Sequence, residues 1–324
     1  MNSIFYAISG PPIAGGHHVN VMHVQALRQM KLRASLLYWP SGQTVERFDT
    51  KAPVVLFQSP MTFKVQDIVV IPEGWRIPLN FFASKPCRKI LHCQNPFYIF
   101  QGVDSIHDYK QLGIERAIVC SEFTKSSLVS LGFDLPIDVV RPCLAPEFLS
   151  YFDKPKPDNT QIAYMPRKRP IESRYLIQLF KSMYPAFKDL SWVPIHEMTH
   201  QQCAEVLAQS SVFASFSSLE GLGLPPLEAM ACACIPVGFL GHGGAEYANS
   251  NNGYWVNEAD YESFANSLCQ AIVTSQNLQS RKMFLDAARQ TLKDYDQNTF
   301  AKTIEETWRN ILGDDLDRFI LDSN

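Results

Sequence analysis

The feature that most constrains this chain is the spacing of its apolar runs. Short, continuous, β-branched-rich segments recur at 4–9, 34–39, 54–57, 67–72, 89–93, 116–121 and 138–140. They carry little polar alternation, as expected of parallel strands covered on both faces. Stretches with helical spacing separate some of them. Val19, Met22, Ala26, Leu27 and Met30 share one face of a helix expected over 19–30, and Ser121 is a suitable N-cap for a helix over 122–131.

A second series follows a segment rich in Pro, Lys and Asp, DKPKPDNT (153–160), which reads as a linker. Strands are expected at 161–165, 191–195, 212–216, 235–239 and 253–256. Helices are expected near 172–183, 200–209, 225–233, 260–274 and 279–293. A last helix near 299–312 puts Phe300, Ile304, Trp308, Ile311 and Leu312 on one stripe, and the acidic tail after it reads as loose. The class is α/β: two doubly wound Rossmann-like domains, expected to face each other across a cleft. The expected division is 1–152, 161–298 and a final helix and tail, 299–324, that returns to the first domain. A length of 324 residues suits two such domains.

Several function classes are unfavoured. No apolar run reaches the roughly 18 residues that span a bilayer. The start MNSIFYAISG lacks a basic n-region, so the chain reads as cytoplasmic. None of the eight cysteines forms a C-x-x-C pair, and most stand in apolar company, as buried reduced thiols do. Residues 1–150 carry 14 basic and 11 acidic residues, and the rest carry 15 and 21, so neither half resembles a nucleic-acid binder. No Lys or Arg occurs between Lys188 and Arg281.

In open parallel sheets ligands bind beyond the carboxyl ends of strands, so the strand-to-helix loops are where chemistry is expected. The most informative is SSLEGLGLPPLEAMA (217–231). A strand is expected to end near Ser217, and a loop Gly221-Leu222-Gly223-Leu224 then leads to a helix opened by Pro225 and Pro226. Loop and first-turn amides there suit an anion. Glu220 and Glu228 flank the loop, and carboxylates accept hydrogen bonds from vicinal diols. Glu228, expected in the first turn, also suits the helix dipole on its own.

The Glu220-x7-Glu228 spacing within EGLGLPPLEAMA resembles the signature of retaining GT-B glycosyltransferases of the family-4 type, the glycosyl transferases group 1. SEFTKSSLVSLG (121–132), QSSVFASFSS (209–218), GHGGAEY (241–247) and NNGYWVNEAD (251–260) resemble further family segments in the same order. The resemblance implies a GT-B fold and a nucleotide-diphosphate-sugar donor. It implies that Glu220 meets the donor sugar, Glu228 the ribose, and the amides of Gly221, Gly223 and Leu224 the diphosphate and sugar.

A departing diphosphate needs preorganised positive charge. YMPRKRP (164–170) places Arg167, Lys168 and Arg169 after a strand. Arg167 matches the family arginine. The family lysine, about five residues later, has no counterpart, since Glu172 and Ser173 stand there, and Lys168 or Arg169 is left to supply the second charge. Gly15 and Gly16 in GPPIAGGHH resemble the family's glycine pair before the first helix. His17 and His18 line a cleft or face solvent. Gln94 and Asn95, after the strand holding His92, stand where the family has a sugar-contacting histidine. Glu73 is a candidate acceptor-side carboxylate, and His242 is another cleft candidate.

The segment 80–100 interleaves Phe81, Phe82, Lys85, Arg88, Lys89, Phe97 and Tyr98, which suits either core packing with a solvated basic turn or contact with a lipid-linked acceptor or the inner membrane face. The expected function is retaining, metal-independent transfer of a hexosyl or deoxyhexosyl group to a glycan, lipid-linked or small-molecule hydroxyl acceptor, in glycan, polysaccharide or glycolipid synthesis. No cofactor and no nucleic-acid partner is expected. The alternatives are a catalytically inactive carbohydrate-binding subunit, or a GT-B phosphorylase or epimerase.

Overall fold

The computed structural model describes residues 2–9, 15–39, 52–157 and 160–321. The chain forms two compact units, Met1–Pro142 with Asn298–Asn324, and Cys143–Gln297.

The first unit contains β1 (Ile4–Ser9), α1 (Gly15–Gln29), β2 (Ala34–Trp39), β3 (Val54–Leu56), β4 (Ile68–Pro72), α2 (Arg76–Ala83), β5 (Arg88–Cys93), α3 (Asp108–Gln111), β6 (Ile114–Val119), α4 (Glu122–Ser130) and β7 (Ile137–Val139). Its seven parallel strands lie in the order β3-β2-β1-β4-β5-β6-β7. One face covers a core that includes Leu37, Val69, Ile71, Leu91, Val119, Phe82 and Tyr109. Ser121 caps α4, its side chain accepting the Thr124 amide at 3.0 Å.

The second unit contains α5 (Pro146–Leu149), β8 (Gln161–Tyr164), α6 (Pro170–Met183), β9 (Ser191–Pro194), α7 (His200–Gln209), β10 (Val212–Glu220), α8 (Leu224–Ala231), β11 (Ile235–His242), β12 (Tyr254–Trp255), α9 (Tyr261–Gln276) and α10 (Leu278–Leu292). Its five parallel strands lie in the order β12-β11-β10-β8-β9, over a core of Ile162, Phe180, Val212, Phe216, Val237, Phe239, Phe264 and Leu268. The chain then re-enters the first unit as α11 (Gln297–Leu312), which buries Phe300, Ile304, Trp308, Ile311 and Leu312.

Three features differ from the sequence expectation. The division falls between Pro142 and Cys143 and not in 153–160. Residues 143–157 belong to the second unit, where α5 packs on α7 and α8 and Lys156 donates to the Leu207 carbonyl at 2.6 Å. The tail is anchored. A 3-10 turn, Gly313–Phe319, buries Phe319, and the carbonyls of Arg318 and Phe319 accept the amides of Asn2 and Arg33. Finally, β10 runs on to Glu220 through a register shift after Ser217, with Leu219 at φ 49°. Such a bulge re-aims the side chain that follows it.

Candidate functional site

Three loops of the second unit lie at the carboxyl ends of β8, β10 and β11. Beyond β10 the bulge delivers Glu220, whose Oε1 lies 2.6 Å from the Lys168 Nζ. Lys168 also donates to the Ser218 carbonyl at 2.9 Å. This side chain therefore ties the β8–α6 turn to the end of β10, within reach of the glycine loop.

Gly223 caps α8 in the left-handed region, at φ 83°, and its carbonyl accepts the buried Tyr247 hydroxyl at 2.7 Å. The helix starts at Leu224, so Pro225 and Pro226 occupy its second and third positions. This revises the expected anion site. A helix start offers its first amides because they have no intrahelical acceptor, and proline removes the amide at those two positions. An anion here would meet the amides of Leu222, Gly223 and Leu224, since positions 225 and 226 have none to offer.

Glu228 is the fifth residue of α8, one position beyond its expected place and past the first turn in which the dipole acts. It is half-buried, and burial raises its carboxyl to about 7. Among the described residues no hydrogen-bond or ion-pair partner faces it. A half-buried carboxylate without a donor is partly desolvated, which favours its neutral form, and a ligand diol would supply two donors.

The GHGG loop after β11 docks on the glycine loop. A Cβ on Gly243 would lie 2.3 Å from the Gly221 carbonyl oxygen, and one on Gly241 would lie 2.8 Å from the Ser217 Cβ. His242 stands between these glycines at φ 74° and ψ −71°, a rare and strained turn for a side-chain-bearing residue. It is exposed and paired in register with Glu220.

The basic turn separates into distinct roles. Arg167 is exposed, with no partner among the described residues. Lys168 joins Glu220. Arg169, expected as a donor contact, is instead engaged inside the protein. It donates to both Glu172 oxygens at 3.1 and 3.0 Å and to Glu258, and its guanidinium lies 4.9 Å from the Phe239 ring centroid. Glu172 also accepts the Tyr261 hydroxyl at 2.6 Å. The acid standing in place of the expected lysine thus anchors the neighbouring arginine, and Lys168 is left as the second cation. Sequence reading missed this because Glu258 and Tyr261 lie 89 residues from their partners.

In the first unit Gly15 and Gly16 open α1, and the preceding loop, 10–14, lies outside the described residues. His17 and His18 are half-buried on the same helix. Gln94 donates to the Gly16 carbonyl at 3.0 Å. Glu73 is not an acceptor-side carboxylate: its two oxygens accept the amides of Gln94 and Asn95 at 3.2 and 2.9 Å. Burial raises Glu73 to about 7, against the lowering effect of those amides. Asn95 caps the following 3-10 turn through its side chain, accepting the Phe97 amide at 3.0 Å. His92 is buried, its Nδ1 2.7 Å from the Asn20 Oδ1.

Among the described residues no group of three or more His, Cys, Asp or Glu side chains could hold a metal ion, and no helix is long and apolar enough to cross a membrane. All eight cysteines are free, and seven are buried.

Solved structures share the fold over nearly the whole chain. HepE from Anabaena in complex with UDP-glucose matches with a TM-score of 0.69 at 14% identity, covering 96% of this chain and 100% of that one. Sucrose-phosphate synthase from Thermosynechococcus elongatus matches with a TM-score of 0.66 at 12% identity, covering 96% and 99%. Two parallel-sheet units with these neighbours define the GT-B fold. The family model for glycosyl transferases group 1 matches residues 194–291, which hold the Glu220–Glu228 loop. An alpha-1,6-glucosyltransferase of Actinobacillus pleuropneumoniae serotype 7 is 32% identical over 323 residues, 97% of each chain. The chain belongs to the glycosyl transferases group 1 and is a glycosyltransferase.

Proposed function

We propose that the enzyme transfers glucose from UDP-glucose, with retention, to the 6-hydroxyl of a sugar acceptor. The observation that carries this is the pair of carboxylates around the glycine loop that leads into the proline-headed helix: Glu220 set by Lys168, and Glu228 half-buried without a side-chain partner. The relative named as an alpha-1,6-glucosyltransferase and the HepE complexes with UDP and UDP-glucose support the choice of sugar, linkage and nucleotide.

In this reading the amides of Leu222, Gly223 and Leu224 and the side chains of Arg167 and Lys168 take the diphosphate. Glu228 accepts from the ribose hydroxyls. Glu220 accepts from the glucose hydroxyls near the reacting carbon. The bond from the anomeric carbon to the diphosphate oxygen breaks ahead of attack, and positive charge develops on the sugar. The departing phosphate oxygen takes the acceptor's proton, so the new bond forms on the face just vacated. Preorganised cations and amides stabilise the leaving group without reorganising at the moment of reaction, and no metal is required.

Proton NMR of the first product formed from UDP-α-glucose and a methyl glucoside tests the stereochemistry. The new linkage should be α, and transfer should persist in EDTA. A β-linked product, or activity lost in EDTA and restored by a divalent ion, overturns the reading.

A further inference from the structure

The first unit presents aromatic rings at the carboxyl edge of its sheet that the donor site does not use. The six-residue 3-10 turn Pro96–Gln101 follows β5 directly. With three residues per turn, positions 96 and 99 share one face, and 97 and 100 share another. Burial follows this period: Pro96 and Ile99 are buried, whereas Phe97, Tyr98 and Phe100 are 39%, 39% and 46% exposed. Phe123, in the first turn of α4 beyond the neighbouring strand β6, sets its ring 6.1 Å from that of Phe97.

This turn is held firmly. Asn95 caps it, Glu73 grips the two amides before it, and the Tyr109 hydroxyl donates to the Ile99 carbonyl at 2.6 Å. Gly74, at φ 70°, lets the chain approach so closely that a Cβ there would lie 2.6 Å from the Tyr98 carbonyl oxygen. Exposing large rings on a rigid scaffold forgoes their burial, worth about 1.5–3 kcal/mol each.

We infer that Phe97, Phe100 and Phe123 form an acceptor platform on which the apolar face of a hexopyranose ring packs, with Gln94 beside it to meet hydroxyl groups. This rests on the proposed transfer to a sugar hydroxyl. The placement supports a sugar: the platform continues from Gln94 and Asn95 at the edge where ligands of such sheets bind. The local charge does not suit an anionic bilayer, which attracts clustered Lys and Arg. No Lys or Arg lies between Lys89 and Lys110, and the nearby Arg76 and Lys125 are paired with Asp104 and Glu122, so no unbalanced cluster of cations stands beside the rings. The cations before the platform are engaged: Lys89 donates to the Lys85 and Cys87 carbonyls, Arg88 pairs with Glu115, and Lys85 lies over the Phe81 ring.

The test uses the full chain and the double variant F97A/F100A. With UDP-glucose and methyl β-D-glucopyranoside, the variant should raise the acceptor KM about tenfold and leave UDP affinity unchanged, and Phe97→Trp should hold the KM near that of the wild type. Saturation-transfer NMR of the same glucoside, with UDP present, reads the platform without turnover. Its ring protons should respond with the wild type and not with the double variant. Equal NMR responses or equal acceptor KM values overturn the platform. So does a variant that loses only its binding to phosphatidylglycerol vesicles, which would make the patch a membrane contact. Failure of the wild type to bind UDP or turn over UDP-glucose would instead overturn the proposed function, while the NMR comparison still reads the platform.

Discussion

At the scale of single residues, the two loop carboxylates should respond differently to substitution. Glu220→Ala should lower turnover about 100-fold while changing UDP affinity little, because its proposed role is on the sugar and not on the nucleotide. Steady-state kinetics beside calorimetric UDP binding would check this, and near-wild-type turnover would remove Glu220 from the reaction. Glu228 couples function to pH. Its folded carboxyl sits near 7, against 4.5 for an ordinary glutamate. Between those values the folded state binds the proton and the unfolded state does not, so the group's contribution to stability is full below about 4.5 and is lost as pH rises through 7. Glu228→Gln should therefore stabilise the unliganded protein at pH 8, by about 1–3 kcal/mol, and weaken UDP-glucose binding. Wild-type affinity for UDP-glucose should climb between pH 6 and 8 and the variant's should not, since this donor has no phosphate titrating in that range. Melting temperatures with and without donor give both quantities. Parallel pH profiles for the two proteins would refute the role. The positions of Glu220 and Arg167 at the ends of strands were legible in sequence, because each follows an apolar run. The binding of Arg169 by Glu172 and Glu258 was not legible, because tertiary structure alone brings the latter from 89 residues away.

At the scale of elements, the donor loops work as a pair. The GHGG turn rests on the Gly221 carbonyl so closely that Gly243 has no room for a Cβ. Gly243→Ala should push the two loops apart, cost about 1–3 kcal/mol, and weaken donor binding at the same time. A variant that melts lower yet binds UDP-glucose unchanged would show that the contact serves stability alone. The strands were readable because continuous apolar runs mark sheets covered on both faces. The extension of β10 was hidden because Ser217, Ser218 and Glu220 are polar, and its bulge breaks the period. The helix α2 was hidden for a different reason. Its aromatic content reads equally well as strand, and Pro78 stands inside it.

At the scale of the molecule, α11 decides the integrity of the first unit. Phe300, Ile304, Trp308, Ile311 and Leu312, with Phe319 of the anchored tail, are all buried there. At roughly 1.5–3 kcal/mol for each large apolar side chain, they match the whole stability of a typical domain, about 5–15 kcal/mol. A chain cut after Gln297 should lose the cooperative melting of the first unit while the second still melts on its own, as calorimetry would resolve. A single unchanged transition would refute the assignment. The amphipathic stripe of α11 was plain in the sequence. The boundary at Pro142 was not, because the stretch before β8 has a linker's composition but is docked, with Lys156 donating to the Leu207 carbonyl.

The return of α11 sets an order of completion during synthesis. The seven-stranded sheet is translated ahead of the second unit, yet the helix that closes its core follows that entire unit. The second unit is one unbroken stretch of chain, so it can mature as soon as it has emerged, in the way domains fold as units. Of the two units, the one whose strands leave the ribosome earlier is thus the one completed later, and until residue 312 is free its apolar surface stands open to whatever it meets.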